Sequence, residues 1–287
     1  MSGREHSIAI FGPGLMGGSL LMALRARQPQ ARLRVWGRRP EALAELQSRG
    51  WADFCSTKAA EVADGAEAIV LCLPVDQLDA VARDCAEAVA PDCLVTDVGS
   101  VKGTVTESLE GIFSAHRNFV GSHPMCGSEA TGLSAARADL YENALCVVTP
   151  TAASRPDLTT AAEDLWRSVG ARVVRLTPAE HDHAAALVSH VPHVAAAALV
   201  GLLSGEPPGL HRLCAGGFRD TTRVASGSPE LWTAILTHNR TETERGLGKL
   251  IDLLEKFRGA VAADDTATLH QLLAQARAAR EAVLHGD

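Results

Sequence analysis

Three groups of residues have the types and spacing to do chemistry. Gly12-Pro13-Gly14-Leu15-Met16-Gly17 carries the G-x-G-x-x-G spacing. In that pattern one glycine turns the chain, one lets the backbone approach a pyrophosphate, and one lets a helix pack on a strand. A helix beginning there aims its N–H groups and the positive end of its dipole at the anion. Gly12, Gly14, Leu15, Met16 and Gly17 are therefore candidate dinucleotide-binding residues, with a purely structural glycine turn as the competing reading. The second group is histidine: His123 ahead of Pro124, then His181, His183, His190 and His193. Imidazole titrates near neutrality and suits a general base. His190 and His193 stand at i and i+3 in an apolar stretch, where a polar group needs a partner. Taken alone, these two read as satisfied core histidines and His123 as a loop histidine. Clustered histidines can also ligate zinc, but neither a zinc spacing nor converging carboxylates accompany these, so no metal is expected. The third group is Arg219 and Arg223, four residues apart, which share a face if the stretch is helical. A guanidinium can clamp a carboxylate bidentately. For Arg219 a solvated surface role competes.

The elements that position these groups follow from apolar periodicity. A buried strand over 7–11, the glycine turn and a helix over 15–27 place the motif where a nucleotide fold needs it. Strands over 33–36, 68–73 and 94–97 alternate with helices over 41–48 and 75–89. Strand-like 145–149, a helix within 157–169 and strand-like 172–176 complete this half. The alternation predicts an α/β Rossmann-type domain over residues 1–177, with a parallel sheet covered on both faces. Leu73 and Pro74, at the end of the strand 68–73, join the cofactor candidates. After the second strand, where an NAD site usually offers an acid to the ribose, the chain has Gly37-Arg38-Arg39. A guanidinium there pairs with a 2′-phosphate, so NADP is the expected preference and NAD a possible alternative. Two solvated arginines with relaxed specificity are the competing reading.

Beyond residue 176 the strand signals stop. Thr177-Pro178-Ala179-Glu180 combines an N-cap, a proline at the first helical position and a glutamate at the third. An all-α domain over 178–287 is expected, with helical spacing in 231–257 and 266–284 and turn signals at 205–209 and 225–229.

Composition bounds the function. With 287 residues, 46% hydrophobic and 21% charged, the chain suits two soluble domains. The net charge of −7 is spread without a basic block, which argues against nucleic acid and anionic membranes and for a small-molecule partner. Seven cysteines without a C-x-x-C pair read as reduced thiols of a cytoplasmic protein, and the N-terminal apolar run is too short for a signal peptide. The apolar stretch 184–203 approaches the length of a membrane span, but Ser189, His190, Pro192 and His193 interrupt it and no aromatic belt flanks it. A helix buried between two subunits of a homodimer explains it better.

Several motifs then occur in series: Gly12 to Ser19, Thr96-Asp97-Val98-Gly99-Ser100-Val101-Lys102, and Gly121-Ser122-His123-Pro124-Met125-Cys126-Gly127-Ser128-Glu129. Ser189-His190-Val191-Pro192-His193 and Gly216-Gly217-Phe218-Arg219-Asp220-Thr221-Thr222-Arg223 follow. This series, from about Ile8 to Trp232, resembles the prephenate/arogenate (cyclohexadienyl) dehydrogenases. Cys126 departs from their commoner alanine. The resemblance implies a Rossmann domain joined to a helical dimerisation domain, an active site between them, and oxidative decarboxylation of a cyclohexadienyl substrate in tyrosine biosynthesis. It implies that His123 is the base and Ser100 the serine that orients it, although Ser100 also reads as an N-cap. It implies that Arg223 binds substrate carboxylate, that His190 and His193 line the pocket, and that Ser128, Glu129 and Trp232 lie at or near the substrate; Arg219 joins them as a candidate only by its spacing to Arg223. No acid between 188 and 205 is available for an ammonium group, and His193, often missing from arogenate-specific members, is present. Prephenate is thus the expected substrate, yielding 4-hydroxyphenylpyruvate. Arogenate, yielding tyrosine directly, is the alternative, and a nonenzymatic NADPH-binding sensor is a more distant one. Dehydrogenases of 3-hydroxy acids typically rely on a lysine in the helical domain, and the helix over 180–203 has none.

Overall fold

The computed structural model describes residues 6–127, 132–207 and 209–285. Strand β1 (Ser7–Phe11) is central in a five-stranded sheet and wholly buried. It pairs in parallel with β2 (Arg32–Trp36) on one side and β4 (Ala68–Leu71) on the other, with β3 (Phe54–Ser56) and β5 (Leu94–Asp97) outside them. Alternation along β1 sends Ile8 and Ile10 into a core with Leu20, Leu24, Leu33 and Val35. Ala9 and Phe11 enter a second core with Val62, Ile69, Leu78 and Val81. Both faces are therefore covered, which is why the strand is apolar without a break. Helices α1 (Leu15–Arg27), α2 (Pro40–Ser48), α3 (Ala59–Ala63) and α4 (Val75–Cys85) make the connections. The Rossmann expectation holds.

Helix α5 (Gly103–Ile112) leads to β6 (Gly121–Pro124), β7 (Leu145–Thr149), α6 (Pro156–Ser168) and β8 (Arg172–Arg175). The strands expected over 145–149 and 172–176 exist, but in a separate three-stranded sheet. There β6 runs antiparallel to β7, and β7 parallel to β8. A bridge between Val95 and Phe119 joins the edge of the first sheet to the segment leading into β6. Sequence periodicity misses β6 because Gly-Ser-His-Pro has little intrinsic strand preference. Buried polar contacts hold it instead.

The helical part starts where expected. Thr177 Oγ1 accepts from the Glu180 amide at 3.2 Å while Glu180 Oε2 accepts from the Thr177 amide at 2.8 Å, a complete capping box for α7 (Pro178–Ala185). A π turn over Ala186–His190 joins α7 to α8 (Val191–Gly201). Pro192 supplies the cause, since it has no N–H and its ring collides with the carbonyl four residues back, widening the ladder locally. By length and apolar composition, Pro178–Gly201 could cross a membrane. Leu187, Val188, Leu199 and Val200 on it are exposed in the single chain. Helix α9 (Gly216–Thr222), a 3₁₀ turn (Arg223–Ser226) and α10 (Pro229–His238) follow. Contacts group everything through Arg240 into one compact unit. Residues from Thr241 form a second unit, made of most of α11 (Arg240–Ala262) and α12 (Thr266–His285), with Ile251, Leu254, Val261 and Leu273 exposed.

Candidate active site

The glycine turn between β1 and α1 is shaped for a pyrophosphate. Gly12 has φ +97°, and a Cβ there would lie 2.5 Å from the Cys72 carbonyl oxygen. A Cβ on Gly17 would lie 2.2 Å from the Gly12 carbonyl oxygen, so helix and strand approach as only glycine allows. A Cβ on Gly14 would meet nothing within 4 Å. Gly14 caps α1 without a side chain and the first turn has no acidic residue, so its amides are suited to an anion. In front lies a cavity of about 540 Å³ lined by Gly12, Gly14, Trp36, Arg38, Arg39, Leu73, Pro74 and Gln77, among others. Its charged lining residues, Arg38 and Arg39, are both cations. These residues fit a dinucleotide. The side chains of Leu15 and Met16 pack against the core, and the Met16 carbonyl accepts from Tyr141 Oη at 2.7 Å.

The Thr96–Lys102 motif acts by anchoring β6. At the end of β5 the buried Asp97 carboxylate accepts from the Gly99 amide at 2.8 Å and the Ser122 amide at 3.1 Å, and pairs with the fully buried Lys102 ammonium. Lys102 Nζ also donates to the Ser122 carbonyl at 2.9 Å, and Trp166 Nε1 donates to Ser122 Oγ at 2.9 Å. An ion pair removed from water is tolerated when further hydrogen bonds support both partners, as the Gly99 and Ser122 amides and the Ser122 carbonyl do here. This lattice fixes Ser122 and with it the next residue, His123.

His123 Nδ1 lies 2.8 Å from His181 Nε2, and His181 Nδ1 lies 2.9 Å from Asp182 Oδ1. Asp182 in turn accepts from the Lys102 and Gly103 amides, each at 2.7 Å, closing the N-terminus of α5. Burial would raise the Asp182 carboxyl, but hydrogen bonds from His181 and these amides outweigh it and hold it below its usual range. Burial first, then the neighbouring His181, Lys102 and His190, hold His123 well below the ordinary imidazole range. It is therefore neutral at pH 7.

His190, delivered by the π turn, is pushed down to about 4, chiefly by burial. Asn239 Nδ2 donates to the Asp182 carbonyl at 2.8 Å and sits 3.2 Å from His190 Nδ1. His193 stacks on Trp232 with centroids 3.5 Å apart and planes 11° from parallel, and His190 meets the same ring edge-on. Burial lowers the His193 imidazole, against a smaller upward pull from the Val224 carbonyl. Its buried Nδ1 has no hydrogen-bond partner among the described residues. Arg223 opens the 3₁₀ turn after α9 and is exposed. Arg219, one turn earlier, is exposed and donates from Nε to the Cys214 carbonyl at 3.1 Å.

The structure thus joins His190, His193 and Trp232 in one cluster and ties it through Asn239 and Asp182 to the His181–His123 pair. Ser100 lies half-buried on the loop between β5 and α5 and makes neither contact read for it. Among the described residues, the partner of His123 is His181 and the cap of α5 is Asp182. Ser128 and Glu129 fall outside the described residues. Sequence reasoning considered His181 only as a metal ligand and missed Asp182, Asn239, Asp97 and Lys102. The available signal was Glu180-His181-Asp182-His183, titratable residues packed into the first turns of an otherwise apolar helix.

A doubly wound parallel sheet with this glycine turn, in one unit with a half-buried neutral imidazole, defines an NAD(P)-dependent dehydrogenase of the Rossmann class. Residues 21–175 match the family described as "Prephenate dehydrogenase, nucleotide-binding domain", and 177–275 match "Prephenate dehydrogenase, dimerization domain". The chain belongs to the prephenate dehydrogenase family. It is 32% identical over 280 residues to the cyclohexadienyl dehydrogenase of Zymomonas mobilis, covering 96% of this chain and 95% of that one. Among solved structures, the prephenate dehydrogenase of Aquifex aeolicus in complex with hydroxyphenyl propionate and NAD+ superposes with a TM-score of 0.92 at 28% identity, covering 99% of this chain and 100% of that one. The Synechocystis arogenate dehydrogenase superposes with a TM-score of 0.84 at 30% identity, covering 96% and 99%.

Proposed function

We propose that the chain converts prephenate to 4-hydroxyphenylpyruvate and carbon dioxide in tyrosine biosynthesis, preferring NADP and accepting NAD. The observation that carries this reading is the half-buried, neutral His123, hydrogen-bonded through Nδ1 and located in the same unit as the glycine turn. Bound NAD(P) supplies the acceptor for the hydride that leaves the ring carbon bearing the hydroxyl. His123 takes the hydroxyl proton as that carbon becomes trigonal. The bond to the ring carboxylate then breaks, its electrons aromatise the ring, carbon dioxide departs, and the proton returns to the phenolate oxygen. Arg223 holds a substrate carboxylate, a role that suits a guanidinium.

His193, which stacks on Trp232 in the same cluster as His190, supports the choice of prephenate, as does the missing acid between 188 and 205. The Asn239 amide faces the Asp182 carbonyl with its NH₂ group, so the same NH₂ donates to His190 Nδ1 and leaves the proton of neutral His190 on Nε2. The likeness to the Synechocystis arogenate dehydrogenase favours arogenate as the second reading. Arg38 and Arg39 at the cavity rim support NADP, whereas the Aquifex complex with NAD+ favours the alternative acceptor. The exposed apolar side of α8 and the match to a dimerisation domain support a homodimer, which a monomer by light scattering at micromolar concentration would contradict. Steady-state kinetics with prephenate and arogenate, each with NADP and NAD, test the reading. The highest kcat/KM is expected for prephenate with NADP, and a tenfold preference for arogenate, ~1.4 kcal/mol in transition-state selection, would overturn the substrate assignment.

A further inference from the structure

We propose that Asp182 and His181 are positioning residues that lock His123 in the tautomer whose basic lone pair is on Nε2. The inference rests on the reading of His123 as the base and adds what makes it one. Neutral imidazole has one donor and one acceptor nitrogen, and which is which depends on the neighbours. Ionised Asp182 can only accept, so His181 Nδ1, 2.9 Å away, must carry a proton. In neutral His181 the other nitrogen, Nε2, is then the acceptor, and His123 Nδ1, 2.8 Å from it, is the donor. The lone pair of His123 is left on Nε2, the nitrogen turned away from this chain of contacts. One carboxylate, through two imidazoles, thus decides which nitrogen can take a proton from substrate.

The surroundings favour this arrangement over its reverse. Reversal would direct an N–H of His181 at His123 and leave His181 Nδ1 without a proton against a carboxylate. The charged and titratable groups facing the pair are Lys102 from the start of α5, His190 from the π turn and Asp182 itself. The other nearby carboxylate, Asp97, is taken by Lys102. Asp182 cannot turn away, because the Lys102 and Gly103 amides grip both of its oxygens at 2.7 Å. When His123 accepts the substrate proton, its Nδ1–H stays on His181, whose far side rests on the carboxylate, so the developing imidazolium is stabilised without a second transfer.

Histidine-selective ¹⁵N NMR of the full-length protein, with His123 and His181 assigned through His→Gln variants, reads the tautomers directly. Wild type is expected to show both as Nδ1–H. In Asp182→Asn the neutral carboxamide no longer dictates a proton on His181 Nδ1, and the Nε2–H tautomers of both rings are expected to appear. Turnover of that variant should fall by roughly a hundredfold or more, with both Michaelis constants within about threefold of wild type. Were Asp182 only a helix cap, the variant would lose thermal stability while tautomers and kcat stayed unchanged, which would overturn the proposal. A wild-type spectrum with His123 as Nε2–H would overturn it too, and that spectrum decides even if Asp182→Asn does not fold. If the tautomers flip as expected but His123→Ala keeps wild-type turnover, the lock stands and the reading of His123 as base fails.

Discussion

Two alanine substitutions in the glycine turn should separate folding from cofactor binding. At Gly17 a methyl group would sit 2.2 Å from the Gly12 carbonyl oxygen, 3.1 Å from Ile10 Cγ2 and 3.2 Å from Cys72 Cβ. The first of these is backbone, so the β1–α1 turn must open by about 1 Å, and overpacking of this kind costs ~1–3 kcal/mol. Alanine's better helix propensity returns up to ~1 kcal/mol. The net loss of about 1–2 kcal/mol corresponds to a Tm roughly 2–8 °C lower for a chain of this size. At Gly14 the methyl would meet nothing within 4 Å, and φ −83°, ψ −154° suit any residue. Reduced chain entropy and a poorer N-cap nearly offset each other, so Tm should move by no more than about 2 °C. That methyl would, however, project toward the space the pyrophosphate needs, and the Kd for NADP should rise at least about tenfold, ~1.4 kcal/mol. Thermal melts of the apoprotein and titration with NADP measure both. A Gly14→Ala protein that binds NADP like wild type, or a Gly17→Ala protein with an unchanged melt, would refute the reasoning.

The buried His190 makes stability depend on pH. Its folded pKa, about 4, lies below the ordinary 6.5, so the contribution is fully present above pH 6.5 and is lost as pH falls through 6.5 to about 4. At pH 5 the loss is ~2 kcal/mol by urea unfolding, and His190→Gln should flatten this dependence; equal slopes for the two proteins would contradict it. Replacing Arg38 and Arg39 together with alanine should raise the Michaelis constant for NADP while sparing that for NAD; an equal effect on both cofactors would exclude a 2′-phosphate contact. Arg223→Ala should raise the substrate Michaelis constant about tenfold or more while cofactor binding is kept, and an unchanged constant would remove Arg223 from the carboxylate site.

Much of the fold was legible because the strands buried on both faces leave unbroken apolar runs, as at Ile8–Phe11 and Ala68–Leu71. The capping box at Thr177 is local chemistry and was legible for the same reason. β6 was not, since Gly121-Ser122-His123-Pro124 becomes a strand only through Asp97 and Lys102, 25 and 20 positions from Ser122 in sequence. The site divides in the same way. Residues embedded in motifs, such as His123 and the three glycines, could be named from sequence, whereas the partner of His123 could not. His181 and Asp182 lie 58 positions and more from it, on another element, and only the fold shows that their polar atoms converge. Ser100 illustrates the converse: a serine just before a helix reads as a cap, yet the capping carboxylate comes from a different helix.

The most direct measurement is a parallel time course of reduced cofactor and carbon dioxide with prephenate and NADP, for wild type and His123→Ala. Wild type should release both in equal amounts with 4-hydroxyphenylpyruvate, and the variant should slow both by roughly a hundredfold or more while still binding cofactor. Cofactor reduction without carbon dioxide, no reduction by wild type with either NADP or NAD, or a His123→Ala enzyme as fast as wild type would contradict prephenate oxidation with His123 as its base.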